Sequence, residues 1–205
     1  NSRGACVTWI ELALIAALIL FQPEVRAVFY RMRYPRTVRF LRRVPRIEVA
    51  EEVVDAVDRL SRSSHGAIIV LEQDTPLTEY ADTGTELQAN ASSDLIVTIF
   101  TPYTPLHDGA VIIRGNVIVG AGCILPLSQS ALPDRTMGTR HRAALGLSEE
   151  TDSLVVIVSE ENASISVAYK GTMYHSLTTL ELREILGGQM PRLSNEHVTA
   201  GRMRA

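Results

Sequence analysis

The sequence predicts an α/β domain in which helices cover a mixed β-sheet, with a membrane-anchor helix ahead of it. Short apolar runs of strand length, such as Ala67–Leu71 and Leu154–Val158, occur between amphipathic helical patterns. Two further apolar runs flank Gly115-Asn116, and this spacing predicts an antiparallel hairpin. Because strands and helices do not follow a strict βαβ order, a purely parallel sheet is not expected.

Length and charge limit the functions that the chain can have. Its 205 residues, 46% of them hydrophobic, suit one globular domain with an appendage. Residues 1–46 carry nine arginines against two glutamates, whereas residues 47–205 carry 11 basic residues against 21 acidic ones. An acidic body argues against nonspecific binding to nucleic acid, so no nucleic-acid partner is expected. Cys6 and Cys123 have no metal-ligand spacing, and we expect no disulfide between them.

The N-terminal segment has the composition of a membrane anchor. Residues 7–21 are apolar except for Thr8 and Glu11, although a spanning helix needs about 20 apolar residues. A buried helix or the core of a signal peptide would give a similar pattern. The arginine-rich run from Arg26 to Arg46 favours an anchor, because positive charge marks the cytoplasmic side of a span. We therefore expect residues 1–46 to form a truncated transmembrane anchor and a basic linker, with the following domain in the cytoplasm.

Residues 47–188 carry the periodic patterns of a folded domain. Residues 47–61 have one apolar and one acidic face, which predicts a packing helix. Residues 77–88 indicate a loop or an edge strand, and Ser92 and Ser93 are capping residues for a helix that ends near Phe100. The remaining predictions are a hairpin of residues 111–113 and 117–125, a loop at 128–136, helices at 140–147 and 178–186, and strands at 154–158 and 165–169. The tail, residues 189–205, has no periodicity and is expected to be mobile.

The first polar motif is His107-Asp108-Gly109-Ala110, at the start of a predicted strand. Alone, an Asp-Gly pair more often marks an ordinary turn. A second polar motif follows the hairpin, however, and both His107 and Asp108 can bind a divalent cation, although adjacent residues often point apart. Asp108 is therefore a candidate for metal-assisted chemistry.

The second motif is Gly138-Thr139-Arg140-His141-Arg142. Thr139 is a suitable N-cap, and the free N–H groups of a helix N-terminus bind phosphate, as do arginine side chains. Arg140 and Arg142 could equally form a charged helix end in solvent, and His141 could be a buried structural histidine. The chain has no Walker lysine motif and no dinucleotide fingerprint, so phosphate binding would rest on arginines, backbone amides and a metal.

A third group, Ser159-Glu160-Glu161, ends a predicted buried strand. It has an ordinary interpretation as a solvated turn. Strand ends are nevertheless where α/β sheets place their sites, and a second carboxylate there could complete a metal site with Asp108. A metal-binding carboxylate opposite phosphate-binding arginines is what nucleotidyl transfer requires.

Together, these three motifs in this order closely resemble the diadenylate cyclase (DAC) domain, over about residues 65–186. The apolar segment and arginine-rich linker resemble the membrane-anchored, CdaA-like branch of that family. The resemblance implies a nucleotidyltransferase of DAC fold that condenses two ATP molecules into cyclic di-AMP and releases two pyrophosphates. It also implies a face-to-face homodimer, a membrane location and a membrane-bound regulatory protein as a further partner.

The resemblance also assigns roles to individual residues. Asp108 would assist the attacking 3′-hydroxyl as a catalytic residue, together with Arg140, His141 and Arg142. Mn²⁺ or Mg²⁺ would be held by His107, Asp108 and Glu161. The residues implied in binding ATP are Gly109, Ala110, Leu125, Thr139, Arg140, His141, Arg142 and Ser159. The alternative function is a module that senses ATP or cyclic di-AMP without chemistry, which would have less use for Asp108 and Glu161.

Overall fold

The computed structural model of the chain describes residues 46–129, 138–188 and 198–200. The predicted anchor and linker, apart from Arg46, lie outside these residues, as does most of the predicted loop at 128–136. Within the described ranges, no helix is both long enough and apolar enough to cross a membrane.

Five helices and eight strands are described. In chain order they are α1 (Arg46–Arg62), β1 (Ala67–Leu71), α2 (Thr78–Ala81), β2 (Thr85–Asn90), α3 (Ser93–Phe100), β3 (Ala110–Arg114), β4 (Val117–Cys123), α4 (Thr139–Glu150), β5 (Leu154–Val158), β6 (Ile165–Tyr169), β7 (Thr172–Leu177), α5 (Thr179–Leu186) and β8 (Val198–Ala200).

All eight strands form one sheet in the order β2-β4-β3-β1-β5-β6-β7-β8. β1 and β3 are parallel, and every other neighbouring pair is antiparallel. The parallel pair is possible because the chain between its strands crosses over through β2 and α3. The mixed sheet confirms the predicted fold class.

Helices cover both faces of this sheet. Alternating strand residues divide between the faces, so that Ile69 packs with α1, α3 and α5, whereas Val70 packs with α4. Both side chains are fully buried, as are many of their neighbours on each face. Complete burial of an aliphatic side chain of this size contributes roughly 1.5–3 kcal/mol. The face under α4 matters most for the site, because this helix carries the second polar motif.

Several elements differ from the sequence prediction. Residues 77–88 divide into the one-turn helix α2 and the edge strand β2. The second hairpin strand ends at Cys123 rather than Leu125, because Cys123 pairs with Ala110, the first residue of β3, and no partner strand extends beyond it. β7 was not predicted, since only Met173 and Leu177 in it are buried. In the tail, Val198–Ala200 pairs with β7, and residues 189–197 and 201–205 lie outside the described part.

Candidate active site

The three polar motifs meet at one edge of the sheet. The registers Ala110 with Cys123 and Ala67 with Val158 bring the starts of β1 and β3 beside the ends of β4 and β5. We call this the site edge. It consists of Gly66, Asp108–Ala110, Cys123–Leu125 and Ser159–Glu161. Residues that are far apart in sequence thus share one boundary of the sheet.

Asp108 lies on the site edge where β3 begins. Gly109, which follows it, has a φ of +134°, and a Cβ there would lie 2.7 Å from the Cα of Gly122. Only glycine fits this close approach of the two strands. The carboxylate of Asp108 is exposed, and it forms no hydrogen bond or ion pair with any described residue. Ala110 begins the strand proper and is fully buried.

His107 has the hydrogen bonding of a metal-binding histidine. Its Nδ1 lies 2.6 Å from the carbonyl oxygen of Thr104. Because a carbonyl oxygen only accepts, Nδ1 must donate, and the neutral ring then carries its lone pair on Nε2. Metal-binding histidines are commonly oriented in this way, so His107 fits a divalent cation.

The N-terminus of α4 supplies backbone donors near the site edge. The sequence suggested Thr139 as the N-cap, but this was wrong, because Gly138 occupies that position and Thr139 is the first helical residue. Gly138 has no side chain that could accept from the first-turn N–H groups, and the structure contains no side-chain cap there. Uncapped N–H groups at a helix N-terminus are suited to bind phosphate oxygens.

Arg140 reaches from α4 to the site edge. Its Nη1 donates to Oε2 of Glu160, which follows β5. A Cβ on Gly66 would lie 2.6 Å from the same Nη1 and 2.8 Å from Cζ of Arg140, so the guanidinium rests against the Gly66 backbone. The sequence had given Gly66 no role and had considered Glu160 only as a neighbour of Glu161.

Arg142 connects α4 to the segment that follows β4. Its Nη2 lies 3.4 Å from the carbonyl oxygen of Ser128, whose N–H donates to the carbonyl of Arg142 at 3.0 Å. Ser128 also donates through Oγ to Oε1 of Glu149, at 2.8 Å. Leu125 in this segment is buried beside α4, whereas Ile124 is 70% exposed. The side chain of Leu125 therefore belongs to the core.

His141 lies beneath the site edge rather than on it. Its ring is buried, with its centroid 6.1 Å from the ring centroid of His175 in β7. Burial lowers the pKa of His141 below its ordinary value of 6.5, because the charged form loses solvation. The ring is therefore neutral at pH 7.

Ser159 and Glu161 lie in the turn between β5 and β6. Ser159 is buried, and its backbone donates to the carbonyl of Ser164 and accepts from the N–H of Ala163. Glu161 is exposed. Since one strand separates Asp108 from Ser159, they are roughly 10 Å apart. In the described part of the chain no three potential ligands form a metal-sized group, so His107, Asp108 and Glu161 are not brought together within one chain.

Comparison with known proteins links this geometry to a family. The model of the DAC family, described as "DisA bacterial checkpoint controller nucleotide-binding", matches residues 54–173. The cyclic di-AMP synthase CdaA of Bacillus subtilis is 41% identical over 91% of this chain and 68% of its own length. A diadenylate cyclase of Listeria monocytogenes is 42% identical over 88% of this chain and 66% of its own length. The chain thus spans about two thirds of both relatives.

Two solved structures share the fold of this chain. The crystal structure of a double mutant of DacA from Staphylococcus aureus superposes with a TM-score of 0.68 at 40% identity, covering 70% of this chain and 95% of that one. A structure described as a hypothetical membrane spanning protein from Bacillus cereus has a TM-score of 0.62 at 44% identity, covering 64% of each chain.

Proposed function

The chain belongs to the DAC family, and from this membership we propose that it is a diadenylate cyclase that condenses two ATP molecules into cyclic di-AMP. It is a nucleotidyltransferase of the same class as relatives that share about two fifths of its residues. The structural observation that carries the proposal is the site edge. There Asp108, an exposed carboxylate with no partner among the described residues, shares one boundary with Arg140 and with the N-terminus of α4, whose N-cap Gly138 provides no side-chain cap.

We assign a separate task to the residues on each side of the site edge. Arg140, Arg142 and the first N–H groups of α4, beginning at Thr139, would hold the triphosphate, with Ser159 beside them. Gly109 and Ala110 would line the ribose and phosphates, and the backbone of Leu125 would meet the adenine. His141, buried and neutral, would support the helix that carries the arginines.

Asp108 would act on the nucleophile. The 3′-hydroxyl oxygen of one ATP bonds to the α-phosphorus of the other, the bond from that phosphorus to the β-phosphate oxygen breaks, and pyrophosphate leaves. The hydroxyl proton passes to Asp108 or through it to solvent. Positioning and charge neutralisation by the two arginines supply much of the remaining acceleration.

The resemblance to the family implies His107, Asp108 and Glu161 as the side chains that would hold Mn²⁺ or Mg²⁺, although one described chain does not bring the three together. The hydrogen bond from His107 to Thr104 and the free carboxylate of Asp108 fit such an ion. When bound, the ion would neutralise phosphate charge and orient the reacting oxygens.

The reaction also requires two copies of the chain. A cyclic dinucleotide contains two 3′–5′ linkages, and one chain offers a single site edge, so two copies would face each other about a two-fold axis. Residues 47–205 carry ten more acidic than basic residues, which weakens this contact between free domains. Tethering at a membrane through the apolar N-terminal segment would raise the effective concentration, with the domain on the cytoplasmic side and a membrane-bound regulatory protein as a further partner.

The proposal is tested by incubating the purified chain with ATP and Mn²⁺ or Mg²⁺ and identifying the products by mass spectrometry. Cyclic di-AMP and pyrophosphate in a 1:2 ratio are expected, with a specific activity that rises with enzyme concentration in the dilute range. ATP binding without any product would instead support the sensing module. Flat specific activity at concentrations where ultracentrifugation shows only monomer would contradict the two-chain mechanism.

A further inference from the structure

We propose that Gly66 and Glu160 form a cradle for the guanidinium of Arg140, and that Glu160 is a positioning residue for triphosphate binding. The inference rests on the proposed function, because it assumes that Arg140 contacts ATP. Gly66 supplies a bare stretch of backbone under the guanidinium, and Glu160 fixes one end of it through a hydrogen bond to Nη1. We refer to these two residues as the Arg140 cradle.

The steric part of the argument concerns Gly66. A Cβ there would fall 2.6 Å from Nη1 and 2.8 Å from Cζ of Arg140, so any other residue displaces the guanidinium. Gly66 has no left-handed φ, so the backbone does not itself require glycine. A Cβ at position 66 would clash with the tip of the Arg140 side chain and would lie 3.1 Å from the Cβ of Glu160. Glycine is therefore needed here so that Arg140 can keep its position.

The energetic part concerns Glu160. Its side chain is 64% exposed, and that of Arg140 is 25% exposed. An ion pair this open to solvent contributes little to stability, because screening and side-chain entropy offset the attraction. A carboxylate beside a phosphate-binding arginine also lowers the positive charge offered to the ligand. The main role of the pair is therefore to orient Arg140 rather than to stabilise the fold.

The geometry leaves Arg140 able to serve both partners. A guanidinium has five N–H donors in a rigid plane, and Glu160 accepts from one nitrogen, Nη1. Fixing one edge of the plane leaves Nε and Nη2 in a defined direction for phosphate oxygens. A guanidinium oriented before binding loses less side-chain entropy when ATP arrives.

The first test is Gly66→Ala. We expect this variant to keep its thermal unfolding temperature and to lose roughly ten- to hundredfold in kcat/KM, since a displacement of about 1 Å is enough for such a loss. In the Arg140→Ala background the same change should have no further effect, because the cradle then has no guanidinium to position. A full-sized loss in that background would contradict the proposal.

The second test compares substitutions of Glu160, and it stands even if Gly66→Ala does not fold. Glu160→Ala should lower kcat/KM several-fold, whereas Glu160→Gln should keep most of the activity, because its amide oxygen accepts the same hydrogen bond. If Glu160 acted only through its charge, both variants would bind ATP more tightly than the wild type. The matched control is Glu51→Ala, which removes the half-exposed partner of Arg183 far from the site edge and should change neither kcat nor KM.

Calorimetry with 3′-deoxy-ATP separates failure of this inference from failure of the proposed function. The analogue has no attacking hydroxyl, so its binding can be measured without turnover. If the wild type makes no cyclic di-AMP, the proposed function fails, while weaker binding of the analogue by Gly66→Ala and Glu160→Ala still supports the cradle. If the wild type is active and both variants match it in kcat, KM and analogue affinity, the cradle alone is overturned.

Discussion

Two arginine–glutamate pairs lie at opposite ends of the strands of the same sheet, and they differ in burial and in the number of hydrogen bonds that they form. One lies at the site edge. The other lies at the opposite boundary of the sheet, where β1 and β3 end, which we call the far edge. At the far edge Arg114 binds Glu72 through two hydrogen bonds of 2.7 and 2.9 Å, and the Glu72 side chain is only 9% exposed. Glu72 also accepts from the N–H of Leu77, and Arg114 contacts Thr78 at 3.3 Å. At the site edge Glu160 receives one bond from Arg140 and is 64% exposed.

Asp152 at the far edge and Asp108 at the site edge also differ in the number of hydrogen bonds that their carboxylates accept. At the far edge Asp152 accepts from the N–H groups of Asp74 and Thr75 at 3.0 and 2.9 Å. Burial alone would raise the pKa of Asp152, but the hydrogen bonds from Thr75 and Asp74 lower it overall. At the site edge Asp108 has no described partner. A polar group whose hydrogen bonds are all made within the chain stabilises the fold, whereas a group without such partners is available to bind a ligand.

Asp108→Asn should have the largest effect on activity. We expect it to keep the fold and ATP binding but to lose cyclic di-AMP synthesis by roughly a thousandfold or more, since several kcal/mol of transition-state stabilisation depend on the carboxylate. Product formation by mass spectrometry and binding of 3′-deoxy-ATP by calorimetry would measure the two effects separately.

The matched control is Asp152→Asn at the far edge. It should retain its turnover and lose only some stability, because an amide oxygen replaces part of what the carboxylate accepts. Near wild-type turnover in Asp108→Asn would remove Asp108 from the mechanism.

Substitutions at the far edge should instead lower the free energy of unfolding. Glu72→Ala leaves Arg114 partly buried without its main carboxylate, and we expect the free energy of unfolding to fall by about 3 kcal/mol. Denaturant titration followed by circular dichroism measures this change. Glu160→Ala, at an exposed pair, should lower the free energy of unfolding by less than about 1 kcal/mol. Equal losses in the two variants would mean that the pairs do not differ in kind.

The sequence predicted the sheet where apolar periodicity is strong and missed it where polar residues interrupt the pattern. β1, β3 and β5 are almost wholly apolar, and their positions were predicted correctly. β7 contains Tyr174, His175 and Ser176, and its strand conformation comes from pairing with β6 and β8 rather than from its own pattern. Pairing between strands depends on tertiary context, which local propensity does not contain.

The same limit applies to the site. Contiguous motifs made Asp108 and Arg140 candidates, because their neighbours in sequence carry related chemistry. Gly66 and Glu160 were not identified, since the contact of each with Arg140 joins residues at least 20 positions apart. A glycine just before a buried strand and a second glutamate beside Glu161 were the available signals. Neither distinguishes a cradle from an ordinary turn until the side chains are placed.

Substitution of the two arginines should weaken nucleotide binding. Arg140→Ala and Arg142→Ala should each weaken binding of 3′-deoxy-ATP by about tenfold or more, because a charge-assisted hydrogen bond contributes roughly 1.5–3 kcal/mol. Lysine should restore little, since it replaces a planar fork with a point charge. Unchanged affinity in both alanine variants would mean that neither arginine contacts the triphosphate.

The smallest effect concerns His141, which lies under the site edge and titrates without facing solvent. Its pKa is lowered in the folded chain by burial, so between that value and 6.5 the unfolded chain binds more protons than the folded one. Stability from this group is therefore complete above pH 6.5 and is lost as the pH falls below it, with a slope of at most about 1.4 kcal/mol per pH unit.

His141→Gln should flatten this part of the pH dependence, measured as the free energy of unfolding by denaturant titration between pH 5 and pH 7.5. The neighbouring ring of His175 is hydrogen-bonded to Ser166, and its centroid lies 6.1 Å from that of His141. His175→Gln is therefore the matched control and should leave the contribution of His141 in place. An unchanged slope in His141→Gln would mean that its buried ring does not stay neutral on folding. The position of α4, which carries Arg140 and Arg142, would then not depend on a neutral ring at His141.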